Sequence, residues 1–157
     1  MPRRFYKKRK TEVDLIFSSY EVNKLTNYVM KDGKKTVAQK AVYQALAEIE
    51  KKGNNVLEVI RKALDQVAPE HEVRPRRVGG ASYLVPVETR HTRKLFLAFN
   101  WIINAANARA GKEYKRFSKK LAAELIDASQ GIGEAVAKKA QVEKLAEANK
   151  AFAHFKW

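Results

Sequence analysis

Glu72-Val73-Arg74-Pro75-Arg76-Arg77-Val78-Gly79-Gly80-Ala81-Ser82-Tyr83-Leu84-Val85-Pro86-Val87-Glu88 is the one stretch of this 157-residue chain with a strand-like pattern. Two β-rich runs, Val73–Val78 and Tyr83–Val87, flank a Gly-Gly pair, and glycine accepts the positive φ angles of a primed turn cheaply. The pattern predicts a two-stranded hairpin over about Val73–Val87. Pro75 and Pro86 lack an N–H and are tolerated only on sheet edges, and no other segment offers a partner strand. An isolated ribbon is therefore expected, with Arg74, Arg76 and Arg77 in its first strand and a nearly uncharged tip from Val78 to Tyr83. Bare edges invite aggregation unless charged or covered. The arginines either provide that protection or form a basic arm that orders against a polyanion.

Around the ribbon, apolar residues recur three and four apart, the helical period. A first helix is expected after Ser18-Ser19, with Val22, Leu25 and Val29 inward and Gly33 as a left-handed stop. Thr36 with Gln39 fits a capping box for a second helix that ends at Lys52-Gly53-Asn54. Asn55 with Glu58 opens a third, closed by Pro69. These two helices are near neutral, so they are expected to face solvent or protein partners. Beyond the ribbon, Leu95, Phe99, Ile102 and Ala106 mark a fourth helix, taken as the central core helix, which runs to about Ala110. Phe117, Leu121 and Leu125 mark a fifth. A sixth follows Gly131-Ile132-Gly133, with Val136, Val142, Leu145 and Ala146 inward and Lys138, Lys139 and Lys144 outward. The fold class is mainly α: a six-helix domain with one protruding hairpin between the third and fourth helices. Residues 1–17 read as a basic arm, and 18–157 as a single domain carrying ribbon 72–88.

Charge narrows the function. Lys and Arg number 32 against 17 Asp and Glu, a formal net charge of +15. Such an excess calls for counter-charge, with nucleic acid the first candidate and an anionic membrane surface a distant second. At 45% hydrophobic residues the chain is a folded protein and not a disordered basic tail. There is no cysteine, and no apolar run approaches the ~20 residues of a membrane span. No signal-peptide core follows Met1-Pro2-Arg3-Arg4, so an intracellular protein is expected. His71, His91 and His154 are scattered without chelating spacing, and no nucleophile elbow or glycine-rich phosphate loop occurs. The Gly33-Lys34 pair lacks the other residues of a phosphate loop. No enzyme, cofactor or metal site is expected.

The cations fall in separated segments. Arg3, Arg4, Lys8, Arg9 and Lys10, with Phe5 and Tyr6 among them, form a candidate phosphate-binding arm. Lys31, Lys34 and Lys35 give a second contact. Arg74, Arg76, Arg77, Arg93 and Lys94 give a patch at the hairpin root. Lys115, Arg116, Lys119 and Lys120 precede or open the fifth helix, and Lys138 and Lys139 lie on the sixth. Tyr114 serves either base stacking or structure. The C-terminal aromatics, Phe152, Phe155 and Trp157, either pack back or meet a partner.

Met30-Lys31-Asp32-Gly33-Lys34-Lys35, Arg76-Arg77-Val78-Gly79-Gly80-Ala81-Ser82-Tyr83, Val85-Pro86-Val87-Glu88, Trp101-Ile102 and Glu147-Ala148-Asn149-Lys150-Ala151-Phe152-Ala153-His154 occur in this order. In these motifs the chain resembles the bacterial-type small-subunit ribosomal protein seven family over essentially its whole length. It departs from the family in lacking a proline between Val13 and Tyr20 and in carrying His91 where a proline is common. The resemblance implies binding to the 3′ major domain of 16S rRNA and nucleation of small-subunit head assembly in the cytoplasm. It further implies a hairpin tip (Gly79, Gly80, Ala81, Ser82, Tyr83) and a C-terminal segment (Lys150, His154) near exit-site tRNA and mRNA. Ribosomal proteins eleven, nine and thirteen become expected neighbours, and some family members repress their own operon mRNA. The rival readings are a helical DNA-binding regulator and a general polyanion binder. A dimeric regulator predicts half-site symmetry, but no heptad or symmetric interface pattern is present, so no homo-oligomer is expected.

Overall fold

The computed structural model describes residues 12–155. The candidate arm Arg3, Arg4, Lys8, Arg9 and Lys10, and the aromatic Trp157, lie outside the described residues. Six α-helices and one hairpin follow in the expected order: α1 (Tyr20–Val29), α2 (Lys35–Lys51), α3 (Val56–Val67), β1 (His71–Val78), β2 (Ala81–Glu88), α4 (His91–Ala108), α5 (Phe117–Ser129) and α6 (Glu134–Ala148). A 3-10 segment, Lys150–Phe155, closes the described chain.

The hairpin is as the sequence predicts, with strands slightly longer than expected. Its strands pair antiparallel from His71 opposite Glu88 to Val78 opposite Ala81, and they form a two-stranded sheet of their own. Gly79 and Gly80 take φ of +58° and +90°, the positive pair that a two-residue type I′ turn demands. Residues directly opposite share a face, so Glu72, Arg74 and Arg76 stand with Val87, Val85 and Tyr83. Arg77 lies on the other face with Ser82.

Helix starts were partly legible. Ser19 caps α1, its hydroxyl accepting the Val22 amide, and Asn55 caps α3 by accepting the Leu57 amide at 3.2 Å. The Thr36–Gln39 capping box does not form. Helix α2 begins at Lys35, which already places Thr36 inside it, and its N-cap Lys34 makes no side-chain bond. Gln39 instead donates to the Tyr43 hydroxyl at 2.8 Å, and that hydroxyl donates to Asp14 at 2.7 Å. Nor does Gly33 stop α1. The helix ends at Val29 because Met30 turns to extended backbone, and Asp32 and Gly33 carry the left-handed φ values of the separate turn beyond.

Two further expectations are corrected by the packing. The central helix is α5, not α4: α5 packs against α2, α3, α4 and α6. Leu121, Ala122, Ala123, Leu125 and Ala128 are buried, and the small alanines let neighbouring backbones come close. Helix α4 contributes Ala98, Phe99, Ile102 and Ala106 to the same core, while Phe96 is exposed. On α6 the inward face runs through Ala135, Val136, Val142 and Ala146, with Ala135 and Ala146 buried and Val136 packed against the core. Leu145 points away and is 42% exposed. This helix meets both β1 and β2 besides the helical body, so a narrow inward face suffices.

Candidate RNA-binding surface

At the hairpin root, Glu72 is buried, and it organises two of the candidate arginines. Its Oε1 accepts from Arg74 Nε at 2.8 Å, and its Oε2 accepts from Arg93 Nε at 3.1 Å. Burial pushes the Glu72 carboxyl up, but the Arg74 and Arg93 bonds and charges outweigh it and hold the group below its usual range. One carboxylate thus ties β1 to the first turn of α4. The guanidinium of Arg93 also lies 5.0 Å from the Phe96 ring centroid, over an aromatic left open to solvent. Phe96 in turn meets Tyr28 edge-on at 5.8 Å, which links this patch to α1.

The α1–α2 turn presents Lys31, Lys34 and Lys35, all exposed. Backbone bonds close it, Lys34 N to the Lys31 carbonyl at 3.0 Å and Lys35 N to the Gly33 carbonyl at 2.9 Å. Lys31 and Lys34 border a groove of about 440 Å³ whose far wall includes Ile103, Asn107 and Phe117. Phe117 begins α5 directly after the exposed Lys115-Arg116 pair. The groove thus runs from the α1–α2 turn to the first residue of α5, next in sequence to a second cationic pair.

Other candidates are placed differently. Lys119 is exposed, but the Lys120 ammonium donates to the carbonyl of Arg109 and lies 3.5 Å from that of Asn107, at the end of α4. Tyr114 sits with its ring centroid 5.7 Å from the Arg109 guanidinium, a structural position. Lys138 donates to Gln141 at 2.9 Å. Lys139 lines a different groove, of about 650 Å³, between the hairpin and α6, among Glu70, Glu88, Glu143 and Glu147. It shares that groove with Lys150 and lies apart from the groove that Lys31 and Lys34 border. Among the described residues, no group of three or more His, Asp and Glu side chains is arranged to hold a metal ion.

At the C-terminus, Phe152 and Phe155 pack back. Both rings lie on Tyr83 of β2, with centroids 5.1 and 5.5 Å away. Lys150 pairs with Glu147 at 3.1 Å, and His154 Nδ1 lies 2.9 Å from the Ala151 carbonyl. The hairpin and the C-terminal segment form one continuous surface.

The model of the family described as ribosomal protein S7p/S5e matches residues 1–150. The chain belongs to that family. It is 51% identical to the small ribosomal subunit protein uS7 of Pseudothermotoga lettingae and 51% identical to that of Carboxydothermus hydrogenoformans, each alignment covering all of both chains. Against the uS7 protein of Xylella fastidiosa it is 48% identical over 90% of this chain and 89% of the other. As an S7p/S5e protein it is a structural component of the ribosome, of the small-subunit type, and not an enzyme.

Within this S7p/S5e protein, sequence reasoning missed the carboxylates that organise the cations. Glu72 looks like an edge-strand acid until its register is known. Glu124, 1% exposed, binds Arg109 Nε at 2.7 Å and the Ala135 amide at 3.2 Å. A signal existed, because Glu124 falls at the inward spacing Leu121, Glu124, Leu125, Ala128. Phe96 was legible as apolar but not as exposed.

Proposed function

We propose that this protein binds the 3′ major domain of 16S rRNA and nucleates assembly of the small-subunit head in the cytoplasm. The observation that carries the reading is the placement of the basic segments. The α1–α2 turn and the start of α5 share one groove, and the hairpin root and the start of α4 share one carboxylate. A folded RNA junction is gripped mainly through phosphate geometry, with bases stacked where they are unpaired. Several cationic points on a rigid helical body suit that task better than a single recognition helix. Lys31, Lys34, Lys35, Arg76, Arg77, Lys94, Lys115, Arg116 and Lys119 are the phosphate contacts on this reading, with the N-terminal arm as a further one. Arg74 and Arg93 contribute one shared positive site, since Glu72 neutralises part of their charge.

The hairpin tip and the 3-10 segment would lie beside exit-site tRNA and the departing mRNA. The groove lined by Glu70, Glu88, Glu143 and Glu147 holds more acid than base, with Lys139 and Lys150 among them, and suits a basic protein neighbour better than phosphate. Ribosomal protein eleven of the platform is the neighbour proposed for this C-terminal side, with nine and thirteen elsewhere in the head. Repression of its own operon mRNA would use the same cations.

The test is binding to a 3′ major domain RNA fragment against duplex DNA of equal length across a salt series. RNA is expected to win at moderate salt, and equal binding would leave only a general polyanion binder. Charge reversal at Arg76 and Arg77 should weaken RNA binding and reduce the salt slope by ~0.7–0.9 for each phosphate no longer neutralised.

A further inference from the structure

The groove between the α1–α2 turn and the start of α5 combines two chemistries that a phosphate contact alone does not need. Its floor and walls are apolar: Val29, Val37, Ala41, Ile103 and Phe117, with the Tyr28 ring at one side. Val37 stands in the first turn of α2 and is 62% exposed, although it opens onto this apolar lining. Lys31 and Lys34 stand at the mouth, and the Lys115-Arg116 pair immediately precedes Phe117. At about 440 Å³ the space falls within the ~300–1,000 Å³ of clefts that hold small flat ligands.

We infer that this groove receives an unpaired nucleobase of the bound RNA, its flanking phosphates held by Lys31 and Lys34. The charge at the mouth selects the occupant. An apolar side chain of a partner protein would fit the lining but gain nothing from the lysines, whereas a nucleotide brings an apolar π-face and an anionic phosphate joined at a fixed reach. Burying the base face against Tyr28, Val37 and Phe117 is the stacking mode by which unpaired RNA is held. Asp32 and Asn107 at the rim supply an acceptor and an amide for the base edge. The apolar lining disfavours a phosphate placed deep in the groove, which leaves the base inside and the phosphate at the lysines.

This inference rests on the RNA-binding reading above. The experiment measures the 3′ major domain RNA fragment against the wild-type protein, Val37→Trp, and the double variant Lys31→Gln/Lys34→Gln, over a salt series with chemical probing of unpaired bases. Val37 is exposed, so a tryptophan there fills the groove without entering the core, and the thermal midpoint checks the fold. Val37→Trp should weaken binding at least tenfold with the salt slope unchanged, and should restore reactivity at one or two bases that the wild type protects. The lysine variant should flatten the slope. Val37→Trp binding within about twofold of wild type, with the same protections, overturns the inference, as does a weakening that flattens the slope without exposing a base. A Val37→Trp variant that binds RNA normally but fails to recruit a protein neighbour in reconstituted subunits assigns the groove to protein instead. Failure of the wild type to prefer RNA over DNA would instead remove the reading beneath it.

Discussion

Arg109 Nε donates to Glu124 Oε2 at 2.7 Å, from just beyond the end of α4 to the buried middle of α5. The same guanidinium pairs with Asp127, and the other Glu124 oxygen accepts the Ala135 amide at the start of α6. One carboxylate therefore joins three helices in a basic, RNA-binding chain where acids are few. Burial would lower the Arg109 proton affinity, but Asp127 and Glu124 raise it well above the ordinary value, so the cation is permanent.

Removing the acid should be costly. Glu124→Ala leaves a largely buried guanidinium short of one of its two carboxylates and the Ala135 amide without its side-chain acceptor. Breaking such a pair typically costs ~3–5 kcal/mol, and the partial pairing that Asp127 retains sets the lower end. Urea unfolding followed by circular dichroism measures it. A destabilisation below ~1 kcal/mol, the size of an ordinary hydrogen bond, would mean that Asp127 alone satisfies Arg109.

Acid should loosen the hairpin root. The folded-state pKa of Glu72 is depressed, so its bonds contribute stability above the ordinary glutamate range near ~4.3. That contribution disappears as pH falls through the lower folded value. Arg74 and Arg93 are roughly half exposed, which screens the pair, and Glu72→Gln should cost about 1 kcal/mol at neutral pH. The difference between wild type and variant should shrink on acidification below the ordinary glutamate range. Amide exchange of β1 and the first turn of α4, followed from about pH 6 to about pH 3, reads it directly.

Lys119 and Lys120 should separate, although they are adjacent. Lys120 satisfies carbonyls at the end of α4, where a cation also meets the negative end of the helix dipole. Lys120→Gln should lower stability by ~0.5–1.5 kcal/mol and change the RNA salt slope little. Lys119→Gln should leave stability within ~0.5 kcal/mol and reduce the slope by ~0.7–0.9. Paired unfolding and filter-binding measurements on the two variants decide it.

The features legible in the chain were those set by local chemistry. Gly79-Gly80 between β-rich runs allowed little but a primed hairpin, and Ser19 and Asn55 are caps by side-chain type. Features set by packing were hidden. On α6 Val136 and Ala146 were legible as inward, but alanines carry almost no periodic signal, so Ala135 was missed and Leu145 was drawn onto the inward face. Glu124 follows Lys119-Lys120 and Ala122-Ala123 in its helix, and its partner Arg109 lies outside that helix, so its burial is set by packing. The basic segments were visible one by one. Their meeting around a shared groove or a shared carboxylate was not, because it depends on how α1, α4 and α5 cross.

The C-terminal segment should depend on one ring. No residue of Lys150–Phe155 is buried, and the contacts of Tyr83 with Phe152 and Phe155 are a main hold of the segment on β2. Each aromatic pair is worth ~0.5–1.5 kcal/mol beyond area burial, and elements held this weakly open locally before the core does. Tyr83→Ala should abolish amide protection across residues 150–155 while the global unfolding midpoint moves little. Tyr83→Phe keeps the ring and should preserve that protection. An isolated hairpin is marginal in water, so the released state should also show faster exchange in β2 near the tip. Deprotection of the C-terminal segment without any change in β2 would show that the ribbon stands without this cover. Deprotection of both would make the two a single unit, presented together to whatever lies beyond the tip.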